Sequence, residues 1–147
     1  MLPVLVDMDK LFELFVVEWM KWHVSDRFIV REQENVQLQM GQAVSIDIDI
    51  TVEDLECGQS VLVLDTKYKA PEQPAPADIH QVVAYAEAKN CRKAVLVYPV
   101  SLRKAIGGYW GADIHVESVP FRLDGDLDQA GHEFLAKLLL ADLEGAG

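Results

Sequence analysis

Two runs of alternating residues carry most of the reactive chemistry of this chain. They are Ile46-Asp47-Ile48-Asp49-Ile50-Thr51-Val52 and Val61-Leu62-Val63-Leu64-Asp65-Thr66-Lys67. Successive side chains of a β-strand leave on opposite faces, so Asp65 and Lys67 share a face, as do Asp47, Asp49 and Thr51. Two such strands side by side bring at least two carboxylates and one ammonium to the rim of a sheet. Mg²⁺ takes oxygen ligands and is commonly held by one or two carboxylates, with water and phosphate oxygens completing the shell. Asp49 and Asp65 offer the carboxylates, the Thr66 carbonyl offers a backbone oxygen, and Asp47 is a further acid within reach. Lys67 then has two tasks open to it, orienting an attacking water or neutralising charge that builds on phosphorus. This is the chemistry that phosphodiester hydrolysis needs. The same pattern also fits an exposed hairpin face with alternating charges, and spacing alone does not separate the two.

Two further features bear on that choice. Gln81 and Tyr85 stand four residues apart, on one face of an expected helix. The Gln is placed to meet substrate or water, and the Tyr to brace the helix. Glu13 is flanked by Phe12 and Leu14 in a strongly apolar segment. An acid there that faces the sheet needs a charged or metal partner, because an unpaired buried charge is costly. Glu18 reads as surface.

The elements that must position these residues follow from periodicity. Apolar residues at spacings of three and four from Asp7 to about Val24 predict an amphipathic helix with Asp7 as N-cap. Phe28–Val30 and Val36–Met40 read as short strands around a turn at Glu32–Asn35. Val44–Val52 and Ser60–Lys69 are the two best strands, joined by a loop containing Gly58. The proline-rich stretch from Ala70 to Ala77 must be irregular and leads into a helix to about Asn90. Lys93–Tyr98 is a buried-looking strand, Ser101–Gly111 a glycine-containing loop, and Ala112–Val119 a strand. Asp126 to about Leu140, with Phe134, Leu135, Leu138 and Leu139, is a last helix. One βαβ crossover joined to an antiparallel portion is expected, giving an α/β fold with a mixed sheet flanked by helices.

The chain has 147 residues, half of them hydrophobic, which is ample for one domain. No apolar stretch reaches the ~18–20 residues of a membrane helix, and the start is neither basic nor signal-like. The expectation is a soluble, cytoplasmic protein. Cys57 and Cys91 lack CxxC spacing, which argues against a disulfide framework or a four-cysteine site. His23, His80, His115 and His132 show no metal-ligand spacing and read as isolated histidines. The net charge of −11 opposes stand-alone nucleic-acid binding, which draws on a basic surface. Lys67, Lys69, Lys89, Arg92 and Lys93 are the basic residues near the motifs, either as a local phosphate-facing patch or as plain solvated charges.

The segments LVDMDKLFELFV, IDIDITV, LVLDTKYK, DIHQVVAYA and VLVYP, in that order, resemble the C-terminal nuclease domain of the McrC family of McrBC modified-cytosine restriction systems. That family lies within the PD-(D/E)xK nucleases, and the likeness runs from residue 5 to residue 99. DxK alone is a weak motif; DTKYK followed by a Gln-x-x-x-Tyr helix and a VYP strand is more specific. The resemblance implies a restriction-endonuclease-like fold and a Mg²⁺-dependent endonuclease in which Mn²⁺ substitutes for Mg²⁺. Asp49 and Asp65 become metal carboxylates, Lys67 the catalytic lysine, and Gln81 the motif glutamine. Glu13 becomes the helix-borne acid, bound to metal directly or through water. Ile48 stands where the superfamily pattern has proline, a position that shapes the strand and donates no ligand. A GTP-driven, McrB-like ring is the partner that the resemblance implies, and the absence of GxxxxGK[ST] argues against an NTPase in this sequence itself. Starting at the nuclease helix, the chain is expected to be a fragment or a minimal member. Two rivals remain open: a RecB-like exonuclease of the same superfamily, and a catalytically idle scaffold that docks on a partner. The CRISPR-adaptation nucleases are disfavoured by the lack of clustered cysteines.

Overall fold

The computed structural model describes the backbone of residues 5–40 and 42–146, and side chains within 5–37 and 45–138. Three helices and six strands follow in the order α1 (Met8–His23), β1 (Phe28–Met40), β2 (Gln42–Asp54), β3 (Gln59–Thr66), α2 (Pro76–Ala88), β4 (Lys93–Tyr98), β5 (Gly107–Trp110), β6 (Ile114–Pro120) and α3 (Leu127–Ala146). The strands form one sheet ordered β1-β2-β3-β4-β6-β5. Pairing is antiparallel from β1 to β3, parallel from β3 through β4 to β6, and antiparallel again for β5. The expected mixed sheet, with a crossover helix between β3 and β4, is the architecture observed.

Each face of the sheet carries its own core. Val16, Val17, Trp19 and Met20 of α1 and Phe134 and Leu138 of α3 pack on Ile50, Val52, Leu62, Leu64, Val95 and Val97. On the other face Val82, Val83 and Ala86 of α2 meet Ile48, Val63, Ala94, Leu96 and Tyr98. The alternation of β3 and β4 between these two cores is the period-two pattern of strands buried on both sides. At the start of α1, Asp7 accepts a hydrogen bond from the Lys10 amide at 3.1 Å, the expected N-cap. Pro76 opens α2 at its first position, where a missing N–H costs nothing.

Two sequence expectations need correction. The proposed turn at Glu32–Asn35 is absent, and β1 runs on as one strand. The chain is distorted there instead: Gln33 has φ 50°, in the left-handed region, while Glu32 and Glu34 still pair with Ile50 and Ile48. Polar, strand-poor residues thus mark a local kink in a ladder that the flanking register holds together. At the same level the hairpin changes its buried face, since Ile50 joins the α1 core and Ile48 and Ile46 the α2 core. The second correction concerns Ser101–Gly111, which contains β5. This short, exposed edge strand, rich in glycine, carries no apolar alternation by which to be found. The expectation for the Leu139 side chain lies outside the described residues.

Candidate metal-dependent active site

β3 puts the chemistry where the sheet runs out. The β2–β3 ladder ends at Ile50↔Leu64, so Asp49 and Asp65 are the next residues on each strand and stand across from one another. Beyond that end, the Thr66 amide donates to Asp49 Oδ2 at 3.3 Å, so this carboxylate closes the frayed rim. On its other side β3 stays paired with β4 through Asp65 and Thr66, and the Lys67 amide donates to the Val97 carbonyl at 2.8 Å. Asp65 is therefore held rigidly from β4 while facing Asp49 across an open end. The C-terminal ends of parallel strands are where α/β sheets place ligand sites.

Asp65 is 2% exposed. Its Oδ2 lies 3.2 Å from Lys67 Nζ, close enough for an ion pair, yet no hydrogen bond is aligned with that buried oxygen. Burial, together with the hydrogen bonding and charge of neighbouring Asp49, pushes the Asp65 carboxyl up to about 8, against the opposing pull of Lys67. Lys67 reaches in the other direction as well, 3.4 Å from Asp78 Oδ1 in the first turn of α2 and 3.4 Å from Gln81 Oε1. Partial burial works against its charge, and the carboxylates of Asp65 and Asp78 outweigh that, so its ammonium is held more firmly than usual. The Tyr85 hydroxyl is raised by burial and by the charges of Asp65 and Asp49, with Gln81 acting against them. A cleft of ≈ 640 Å³ opens beside Lys67, bounded by Asp9 of α1, Tyr68, Lys69 and Asp78.

Glu13 comes to this region from α1. It is buried, with Lys10 Nζ 3.4 Å from Oε2 and the Gln33 side-chain amide donating to Oε1. Burial raises its carboxyl, Gln33 and Lys10 oppose that, and the negative charge of Asp49 adds to the rise. The acid thus faces the sheet and feels the charge of Asp49. It does not bring an oxygen within 4.8 Å of both partners, for the one group of three ligand atoms that close among the described residues is elsewhere. Asp47 is tied to Asn35, whose side-chain amide donates to Oδ1 at 2.8 Å. Sequence reasoning missed Gln33, the partner of Glu13, and Asp78, the second anion on Lys67. Gln33 carries no periodic signal; Asp78 was visible only as a first-turn helix acid.

Of the five basic residues read either as a phosphate-facing patch or as solvated charges, Lys67 and Lys69 line the cleft, and Lys89 and Lys93 fit neither reading. Lys89 Nζ pairs with Glu34 at 2.6 Å. Lys93 is 6% exposed, with its Nζ 3.0 Å from the Leu138 carbonyl and 3.5 Å from Glu117. Both ammoniums are spent on the fold. Lys69 and Arg92 remain exposed.

The donor set is all oxygen: two facing carboxylates, one with a buried oxygen that no hydrogen bond reaches. That fits a hard divalent cation, for which Asp49 and Asp65 would be the carboxylate ligands.

Mixed sheet, flanking helices and a rim with two aspartates and a lysine together define a restriction-endonuclease-like fold. The chain belongs to the family described as McrBC 5-methylcytosine restriction system component, whose model matches residues 1–99. All the residues of the rim lie inside that match. Among solved structures, a chain of the refined half-complex of Thermococcus gammatolerans McrB AAA+ hexamers with bound McrC is similar in fold. The TM-score is 0.69 at 14% identity, over 90% of this chain and 34% of that one, so this chain spans about a third of the solved chain's length. No curated protein matches the chain. No helix among the described residues is long and apolar enough to cross a membrane.

Proposed function

We propose that this chain is the nuclease module of a McrBC-type restriction system, a Mg²⁺-dependent endodeoxyribonuclease acting on modified DNA. The observation that carries the reading is the facing pair Asp49 and Asp65 beside Lys67, with Asp65 raised to about 8 by burial and by Asp49 in spite of Lys67. A bound Mg²⁺ or Mn²⁺ would supply Lewis-acid polarisation of the phosphate and a more acidic water. Asp49 and Asp65 would hold it, with the Thr66 carbonyl as a further oxygen and Glu13 acting through a water. Lys67 would place its ammonium against the oxygens on which charge develops, and Asp78 would limit its swing by holding Nζ at 3.4 Å. Gln81, which accepts from Lys67, would turn its amide toward water or substrate.

The acidic surface makes the module a poor DNA binder by itself, since its −11 charge repels the phosphate backbone. A ring-forming GTPase of the McrB kind would capture DNA and deliver it to the cleft. The solved assembly of McrB hexamers with bound McrC supports a ring as the partner. Reconstitution with the cognate ring, GTP and Mg²⁺ on methylated plasmid tests the reading. Cleavage by the wild type and none by Asp65→Asn is the expected result; equal cleavage by both excludes the proposed centre.

A further inference from the structure

Sequence spacing gave the four histidines no common purpose, and for two of them the fold reverses that reading. His23 in the last turn of α1 meets Asp128 and His132 from the first turns of α3, with one ligand atom of each residue within 4.8 Å of the others. We propose that His23, Asp128 and His132 bind a Zn²⁺-class cation that clips the end of α1 to the start of α3. The site is independent of the nuclease reading, and neither Asp49 nor Asp65 belongs to it.

Four observations bear on this. Asp128 and His132 are four residues apart on one helix and so present their side chains on one face. The His23 Nδ1 lies 2.7 Å from the Trp19 carbonyl oxygen. A carbonyl only accepts, so that nitrogen carries the proton and the Nε2 lone pair is left outward. A ring N–H bonded to a backbone carbonyl is the usual support of a metal-bound imidazole, fixing both its tautomer and its orientation. The Trp19 indole then holds both rings in place, stacked on His23 at 3.8 Å and 8° and edge-on to His132 at 5.3 Å. Finally, the two helices are locked in contact beneath the site. A Cβ at Gly131 would fall 2.2 Å from the Trp19 ring, so only glycine permits this approach.

Two imidazoles and one carboxylate favour Zn²⁺ over Mg²⁺, which wants an all-oxygen shell. Tetrahedral Zn²⁺ with bonds of ~2.0–2.1 Å sets its ligand atoms roughly 3.3 Å apart. The three side chains are exposed, and their ligand atoms must draw together from a present spacing of up to 4.8 Å to reach it. A fourth position is left for water. Because α1 also carries Glu13, the clip would fix the helix that presents this acid to the rim.

Tag-free, chelator-stripped protein titrated with Co²⁺ tests the site, Co²⁺ serving as a visible-absorbing stand-in for Zn²⁺. One equivalent should develop the intense visible bands of a tetrahedral complex, and Zn²⁺ should displace it. Affinity should fall at least about tenfold in His132→Ala and in Asp128→Asn, each checked by circular dichroism, and should be kept in Asp49→Ala. Zn²⁺ should also raise the melting temperature of the wild type but not of His132→Ala. A wild type without tetrahedral bands, or the same titration in wild type and both ligand variants, overturns the proposal.

Discussion

Replacing Asp65 with asparagine keeps the side chain's shape and removes its titration, which makes a sharp test of the charge frustration at the rim. In the folded chain the Asp65 carboxyl is pushed up to about 8, against 3.8 for a free side chain. A raised native pKa means the folded state holds a proton that the unfolded state releases. Its contribution to stability is complete below about pH 4 and is lost as pH climbs toward 8. Each pH unit inside that window costs about 1.4 kcal/mol. Between pH 5 and pH 7 the metal-free wild type should therefore lose about 3 kcal/mol through this one group. Asparagine loses none of it. Over this interval the carboxyl carries its proton, so the neutral asparagine leaves its contact with Lys67 little changed and the difference in slope intact. Urea unfolding of both proteins in EDTA at pH 5, 6 and 7 reads the effect, since the other carboxylates cancel in the comparison. The stability gap should widen by about 3 kcal/mol in favour of Asp65→Asn. Parallel pH profiles for the two proteins would refute the claim that burial and Asp49 outweigh Lys67 at Asp65.

Lys67→Ala should leave Mn²⁺ binding intact while lowering reconstituted DNA cleavage by roughly 10²–10³, because its ammonium matters most where charge develops. Lys67→Arg should rescue poorly, a planar guanidinium being no replacement for a compact ammonium; single-turnover rates on plasmid DNA give both values. Gly131→Ala should lower thermal stability, since overpacking against Trp19 costs about 1–3 kcal/mol and outweighs a helix-propensity gain of about 1 kcal/mol; a melt no lower than wild type contradicts the close approach. The chain alone should bind duplex DNA no better than ~10⁻⁴–10⁻⁶ M at physiological salt, without sequence preference. Gel shifts in Ca²⁺ measure this, and nanomolar selective binding would contradict the dependence on a partner.

How much of this was visible in the residues varies by element. Strands β2 and β3 announce themselves because alternation is strict on one and the other is buried on both faces. Their pairing then places Asp49 opposite Asp65 with no tertiary information beyond register. Glu13 was legible as an acid among apolar helix positions that must find a partner. The identity of that partner was not, because Gln33 reaches it only through a left-handed residue in β1, which no propensity foretells. The same residue explains the mistaken turn. Lys89 and Lys93 were read as part of a local patch or as solvated charges; their pairing with Glu34 and with Glu117 depends on contacts between elements far apart in the chain. β5 escaped because its order comes from β6, to which it adds an edge, and its own residues bury nothing.

Isothermal titration with Mn²⁺ bears most directly on the claim that Asp49 and Asp65 form one cation site. The wild type should show a saturable binding event, with affinity rising as pH approaches 8 and the Asp65 proton is displaced. That event should vanish in Asp49→Ala and in Asp65→Ala, both still folded, and persist in Lys67→Ala. Binding that is unchanged in both aspartate variants would show that the rim of the sheet is not a metal site.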